Sequence, residues 1–184
     1  MTKVERSEIL DLAAYDRERD RLHAAAMEAK EARRVEVGPW LTFLFESRET
    51  VRDQIQEMIR AERLYREAEI AHEVETYNEL LGGPGELGCS LLIGIPDPAE
   101  RDAKLRRWLP LVDHLYVRTA SGRTVRPTYD RRQVGEERLS SVQYLKFALG
   151  NDAPVAVGCD LPDLRAETPL GPAQREALAR DLGG

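Results

Sequence analysis

The sequence contains few of the residues, and none of the short motifs, from which catalytic sites are usually recognised. Its 184 residues include two cysteines and three histidines. Without a Cys-x-x-Cys pair, the chain is a poor candidate for holding structural zinc or an iron–sulfur cluster. A phosphate-binding glycine loop, a Gly-x-Ser-x-Gly turn and a His-Glu-x-x-His segment are also missing. We therefore predict no cofactor and no metal ligands, and leave open whether the chain is an enzyme.

Excess basic charge and long apolar runs are missing as well. The formal net charge is −6, which argues against a nucleic-acid-binding surface. No segment approaches the roughly 18 apolar residues of a membrane-spanning helix. The first residues, MTKVERSEILDL, have no apolar stretch like that of a signal peptide. We expect no nucleic-acid or membrane partner, and a cytoplasmic location.

The stretch 40–81 is the longest ordered pattern that is present. Its apolar start, Trp40–Phe45, predicts an interior strand covered on both faces. Ser47 or Thr50 can then cap a helix, and no proline or glycine follows until position 82. This predicts a long helix over 48–81, which we expect to bend or break near 63–69 because a straight helix of that length is unusual in a small domain.

The remaining patterns predict a single α+β domain over 1–184. Short turns between apolar runs favour a largely antiparallel sheet. We expect this sheet and the long helix within 35–161, with an N-terminal helical segment at 1–34 and a C-terminal helix at 171–182 packed against the sheet. The other expected elements are strands at 33–37 and 86–95, a helix at 99–109, and hairpins at 113–129 and 140–161. A homodimer through the N-terminal helices is possible, although no heptad repeat supports it.

Polar residues on the long helix supply the candidate binding site. Glu62 falls beside an apolar stripe, where a carboxylate needs a partner. In one interpretation, Glu62, Arg66 and Glu69 form a ladder of ion pairs on a hydrated face. In the other, an inward cluster binds a polar ligand or a partner protein. The residues proposed for this site are Glu46, Arg48, Gln54, Glu57, Arg60 and Glu62.

Two further patterns favour structural roles. Glu69 and His72 have the Glu-x-x-His spacing of di-iron sites, but such sites need a second copy, so we expect an ordinary surface pair. Cys89 and Cys159 each alternate with large apolar residues, which predicts buried, reduced thiols. A redox pair would require their strands to be neighbours, and the sequence does not show whether they are.

Several residue runs resemble an uncharacterised bacterial family classed as a domain of unknown function. The runs are FESRET at 45–50, QEM at 56–58, ETYNEL at 75–80 and SVQYL at 141–145. Glu46, Arg48, Gln54, Glu57, Arg60 and Glu62 match the family pattern, whereas His72 does not. Members of that family are encoded beside a rubrerythrin-like di-iron protein and an iron–sulfur oxidoreductase, so the resemblance implies a part in a redox or peroxide-handling system.

Two hypotheses from different classes follow. The first is an accessory protein that docks to a redox partner through the polar surface around 48–62. The second is an enzyme, or a small-ligand- or metal-binding protein, with a polar pocket between the long helix and the sheet. Convergence of the six side chains into a concave pocket would favour the second hypothesis, and display on an open face beside exposed apolar residues would favour the first.

Overall fold

The computed structural model describes residues 2–183. The helices are α1 (Leu12–Glu31), α2 (Arg48–Glu62), α3 (Glu67–Asn78), α4 (Pro98–Arg107) and α5 (Pro172–Gly183). The strands are β1 (Arg34–Val37), β2 (Leu41–Phe45), β3 (Glu86–Ile93), β4 (Leu115–Thr119), β5 (Thr124–Val125), β6 (Val142–Ala148), β7 (Pro154–Cys159) and β8 (Ala166–Pro169). The α+β fold class predicted from the sequence is confirmed.

The strands form two antiparallel sheets rather than one. The first has the order β1-β2-β3-β6 and the second the order β5-β4-β7-β8. As predicted, β2 is an interior strand, flanked by β1 and β3. The expectation that both of its faces are covered is wrong, because Thr42 and Leu44 on the outer face are only half-buried. The sheets are joined on one side by paired backbone bonds between Thr128 and Lys146. On the other side, the Thr168 hydroxyl donates to the Glu36 carbonyl at 2.6 Å, so the eight strands enclose a common interior.

That interior is the larger of two hydrophobic cores, and we call it the sheet core. It contains the inward side chains of both sheets together with residues of α4 and α5. Alternation along β3 places Leu87, Cys89 and Leu91 in it, as predicted. Helix α5 packs against β3 and β7, the central strands of the two sheets. The C-terminal helix therefore closes over the sheet core.

The second core lies between α2, α3 and the N-terminal segment 4–9, and we call it the helical core. Val51, Ile55 and Ile59 of α2 meet Ile70 and Val74 of α3 there. Helix α1 packs on α2, so the N-terminal helix covers another helix rather than a sheet. Helices α1, α2 and α3 therefore form a small layer beside the sheet core, which we call the helical layer. This layer leaves part of the outer face of the first sheet uncovered.

The helix predicted over 48–81 is wrong in length, because it is two helices. Helix α2 begins with a capping box in which Ser47 accepts from the Thr50 amide. It ends at Arg63, which adopts a left-handed conformation with φ 53°. The expected break within 63–69 is therefore confirmed. Tyr65 lies in this break and is 74% exposed.

The predicted hairpin over 140–161 is also wrong. Strand β6 pairs with β3 of the first sheet, whereas β7 pairs with β4 and β8 of the second. The turn at Gly150, where φ is +66°, carries the chain from one sheet to the other. The hairpin within 113–129 is confirmed, although its second strand, β5, is only two residues long.

Candidate functional site

The six residues predicted to form a site occupy three different environments. Glu46 and Gln54 lie together in a buried cluster; Arg48, Glu57 and Arg60 join α2 to the N-terminal region; and Glu62 is exposed. They do not line one pocket between the long helix and the sheet.

Glu46 follows β2 and is the most deeply buried of the six, with 1% exposure. Its Oε1 accepts from Ser90 Oγ at 2.6 Å. Its Oε2 accepts from Thr50 Oγ1 at 2.7 Å and from Gln54 Nε2 at 2.9 Å. All three donors are neutral, and no cationic side chain of the described residues lies within 4 Å in an ion pair with Glu46. The carboxylate is thus held by hydrogen bonds alone, which satisfies a buried acid without an ion pair.

Glu57 projects from α2 toward α1. Its carboxylate accepts from Tyr15 Oη at 2.8 Å and from Arg19 Nε and Nη2 at 2.7 and 2.8 Å. The bidentate Arg19 bond, with help from Tyr15, holds the pKa of Glu57 at about 2 against an opposing effect of burial. Burial, and then the hydrogen bond to Glu57, raise the pKa of the Tyr15 hydroxyl. Glu57 is therefore ionised at neutral pH and acts as a link between two helices.

Asp53 is a buried carboxylate that sequence reasoning did not single out. Its Oδ1 lies 3.0 Å from His23 Nδ1, and its Oδ2 accepts from Lys30 Nζ at 2.9 Å. A signal for these pairs exists in the spacing, since Tyr15, Arg19 and His23 recur every four residues on α1, as Asp53 and Glu57 do on α2. Reading it requires knowing that α1 and α2 face each other.

The remaining candidates lie toward the surface. Arg48 reaches the N-terminal segment, where it pairs with Glu8 and donates to the Lys3 carbonyl. Arg60 donates to Asp16 at 2.9 Å. In the predicted ladder, Arg66 contacts Glu69 at 3.3 Å, while Glu62 has no ion pair among the described residues. Glu62 lies close enough to Tyr77 to contribute to the raised pKa of that phenol, after burial, Glu73 and Tyr144.

A cleft of about 1020 Å³ lies beside the edge strand β6, and we call it the β6 cleft. One side is formed by the end of α3 and the following 79–84 segment, and the other by the 128–133 segment. Tyr144 and Lys146 of β6 lie between them. The close approach of the 79–84 segment needs a glycine in β3, since a Cβ on Gly88 would lie 1.8 Å from the Leu80 carbonyl oxygen.

Three tyrosines and several charged groups line the β6 cleft. Tyr77 and Tyr144 have no side-chain hydrogen bond among the described residues, and Tyr129 donates to Asp113 at 2.8 Å. The carboxylates are Glu73, Glu79, Glu86 and Asp130, and the cations are Lys3 and Lys146. Of these six charged groups, only Asp130 has an ion pair within the described residues, with Arg132. The Glu86 carboxylate accepts from the Gly83 amide at 3.1 Å. The cleft therefore combines aromatic surface with three carboxylates that have no ion pair among the described residues, Glu73, Glu79 and Glu86, and two lysines.

The thiols and histidines do not form a compact cluster. Both cysteines are free and buried, and burial raises the pKa of each thiol, with nearby Glu46 adding to the effect at Cys89. Cys89 is in the first sheet and Cys159 in the second. His72 is exposed on α3 and has no ion pair among residues 2–183. Within those residues, no three His, Cys, Asp or Glu side chains are grouped so that they could hold a metal ion.

Comparison with known proteins gives a family and a fold. A family model described as a protein of unknown function, DUF3501, matches residues 3–182. A crystal structure described as a novel protein of unknown function from Burkholderia pseudomallei is similar to this chain, with a TM-score of 0.89 and 28% sequence identity. The match covers 98% of this chain and 100% of the other. No curated protein matches the sequence. Among the described residues, no helix is long and apolar enough to cross a membrane.

Proposed function

We propose that this chain, which belongs to the DUF3501 family of proteins of unknown function, is a partner-binding accessory protein. The proposed setting is a bacterial redox or peroxide-handling system in the cytoplasm, with a rubrerythrin-like protein and an iron–sulfur oxidoreductase as partners. The observation that carries the binding role is the uncovered outer face of the first sheet, next to the β6 cleft.

The outer face is defined by Leu44, Leu92, Val142 and Tyr144. Strand register places Leu44 beside Ser90 and Ser90 beside Tyr144, while Leu92 pairs with Val142. The first three side chains are half-buried and Tyr144 is 52% exposed. None of the four belongs to either hydrophobic core. A partly uncovered apolar face with an exposed aromatic side chain is typical of a protein-docking site.

The surroundings of this face favour a protein with a basic rim as its occupant. Helix α3 and its C-terminal end carry Glu73 and Glu79, which line the β6 cleft beside Tyr144 and have no ion pair among the described residues. An apolar centre with a charged rim is the usual arrangement of a transient interface. Complementary charge on the partner would speed association and fix its orientation.

The test is native mass spectrometry with metal analysis on protein isolated anaerobically from its own host. We expect a complex of fixed stoichiometry with a rubrerythrin-like or iron–sulfur protein. Tyr144→Glu should weaken that complex at least about tenfold, because a carboxylate would be desolvated at the centre of the interface. Tyr65→Glu is the matched control, since Tyr65 is exposed but lies in the break between α2 and α3, and it should leave the complex unchanged.

The alternative function is that of a small-ligand- or metal-binding enzyme. The size of the β6 cleft supports this alternative. A volume of about 1020 Å³ is sufficient for a metabolite-sized ligand. A monomer or homodimer with metal or small-molecule mass bound, and no partner protein, would overturn the accessory role and support this alternative. Under it, Glu73→Gln, which removes a carboxylate from the cleft lining, should weaken ligand binding, whereas Glu62→Gln, outside that lining, should leave binding unchanged.

A further inference from the structure

Strand β6 is the edge of the first sheet, and its free edge is occupied by side chains and a loop rather than by a strand. The Gln133 side chain donates through Nε2 to the Tyr144 carbonyl at 2.8 Å, and its Oε1 accepts from the Tyr144 amide at 2.8 Å. One side-chain amide thus makes both bonds that a neighbouring strand residue would make. It imitates a peptide group at the point where the β6 cleft begins.

The neighbouring positions along the edge are covered in different ways. The backbone of Thr128 exchanges two bonds with Lys146, at 2.8 and 2.9 Å. The Val142 amide donates to Ser140 Oγ at 3.2 Å. Tyr144 is therefore the position at which the single flexible side chain of Gln133 takes the place of a paired strand. This side chain is easier to displace than a paired backbone, because it regains rotamer freedom on release.

The β6 cleft beside this edge has the lining of a site for cationic side chains. Tyr77 and Tyr144 offer aromatic faces, which attract ammonium and guanidinium groups, and Glu73, Glu79 and Glu86 are carboxylates without an ion pair among the described residues. Lys3 and Lys146 also line the cleft, and they would repel a basic ligand. Carboxylates outnumber these lysines, so the balance of charge favours a cation.

We propose that the β6 cleft binds an extended, basic segment of the partner protein, which pairs with β6 at Tyr144 in place of the Gln133 side chain. Its lysine or arginine side chains contact the tyrosine faces and the carboxylates of Glu73 and Glu79. This is strand addition at a sheet edge, in which backbone bonds supply affinity and alternate side chains supply specificity. The inference rests on the proposed function and adds the chemistry of the partner.

The test uses a capped heptapeptide of alternating lysine and valine, titrated into the full chain and followed by amide NMR shifts. We expect the basic peptide to bind at least tenfold more tightly than its glutamate counterpart, with the largest shifts at Tyr144 and Gln133. A copy methylated on its central backbone nitrogens keeps the charge but loses the donors, and it should bind at least tenfold more weakly. Equal binding of the methylated peptide would overturn strand pairing.

Variants of the cleft separate its two features. Glu73→Gln with Glu79→Gln should weaken the basic peptide at least fivefold, whereas Glu75→Gln, an exposed change on the same helix outside the cleft lining, should not. Gln133→Ala should strengthen binding several-fold because the competing amide is removed; weaker binding would contradict the replacement. Tighter binding of the acidic peptide would assign the cleft to Lys3 and Lys146 and overturn the proposal.

The experiments distinguish failure of the cleft inference from failure of the proposed accessory role. If the host partner co-purifies and the basic peptide does not compete with it, the cleft inference is wrong while the accessory role stands. If the peptide binds as expected but no partner protein is found in the host, the accessory role is overturned and the cleft remains a site for basic chains.

Discussion

The sheet core and the helical core are built on different principles. The sheet core is large and apolar, with Phe43, Phe45 and Phe147 fully buried and their rings in contact across β2 and β6. The helical core is small, and beside it α1 and α2 are joined by ion pairs. Burial of apolar area therefore dominates the stability of the first region, whereas the contact between α1 and α2 also contains part-buried ion pairs of Asp53 and Glu57.

This difference suggests where the molecule can change without unfolding. Ion pairs between helices weaken when salt is added and when the pH falls. The stability of a close-packed apolar core depends much less on either. The proposed docking surface lies next to the helical layer and above the first sheet. A partner would thus bind where the less strongly packed region meets the rigid one, and six variants test the contrast.

The largest effect is expected from Phe43→Ala in the sheet core. Phe43 is 0% exposed, and removing a buried phenyl ring costs about 3–5 kcal/mol through lost burial and the cavity left behind. Leu44→Ala, on the other face of the same strand, should cost only about 1 kcal/mol because that side chain is half-buried. Chemical denaturation measures the free energy of unfolding of both variants. Equal losses would contradict the conclusion that the inner face of β2 contributes most of its stabilisation.

Asp181→Asn should follow, because it breaks the link between the helical layer and the sheet core. Arg33, just after α1, donates through Nε and Nη2 to Asp181 of α5 at 2.7 and 2.9 Å, and each side chain is 8% exposed. Removing one partner leaves a buried charge uncompensated and should lower the free energy of unfolding by about 3 kcal/mol.

A matched control for Asp181→Asn lies on the same helix. Glu176 pairs with Arg180 at 3.0 Å, but the two side chains are 75% and 70% exposed. Glu176→Gln should therefore change stability by less than about 0.5 kcal/mol. A loss at Glu176 as large as that at Asp181 would show that the effect belongs to α5 in general and not to the buried pair.

How far the sequence anticipates this contrast depends on the range of the interactions. The strand at Leu41–Phe45, the cap at Ser47 and the inward face of β3 follow from local pattern and were predicted. The end of α2 was expected only approximately, because it depends on Arg63 adopting a conformation that arginine rarely takes. The error at Gly150 has a related cause, since a turn residue does not show which sheet the next strand joins.

The candidate site shows the same limit more strongly. Glu46 and Gln54 were placed in one group from their position at the start of α2, and they do contact each other. Asp53 and His23, which lie thirty positions apart, became partners only through the packing of α1 on α2. The β6 cleft unites segments from both halves of the chain, so no local pattern could indicate it.

Glu57→Gln should have a moderate and pH-dependent effect. The folded pKa of about 2 lies below the ordinary value of 4.5, so the stabilisation is present above pH 4.5 and is lost as pH falls toward 2. At 29% exposure, solvent screening reduces it to about 1–2 kcal/mol at neutral pH. Denaturation between pH 7 and 2 should show the two proteins converging in acid, and Glu62→Gln, exposed on the same helix, should track the unmodified protein throughout.

The smallest expected effect is on thiol labelling of the Glu57→Gln variant, and it decides whether the two regions open separately. Cys89 and Cys159 both lie in the sheet core, and burial raises the pKa of each thiol, so labelling at pH 7 requires that core to open. If the helical layer opens by itself, Glu57→Gln should leave the labelling rate unchanged within about twofold. If the whole chain opens as one unit, a loss of about 1–2 kcal/mol should raise that rate roughly 5–30-fold. Phe43→Ala serves as the positive control, since it destabilises the sheet core directly and should accelerate labelling in either case.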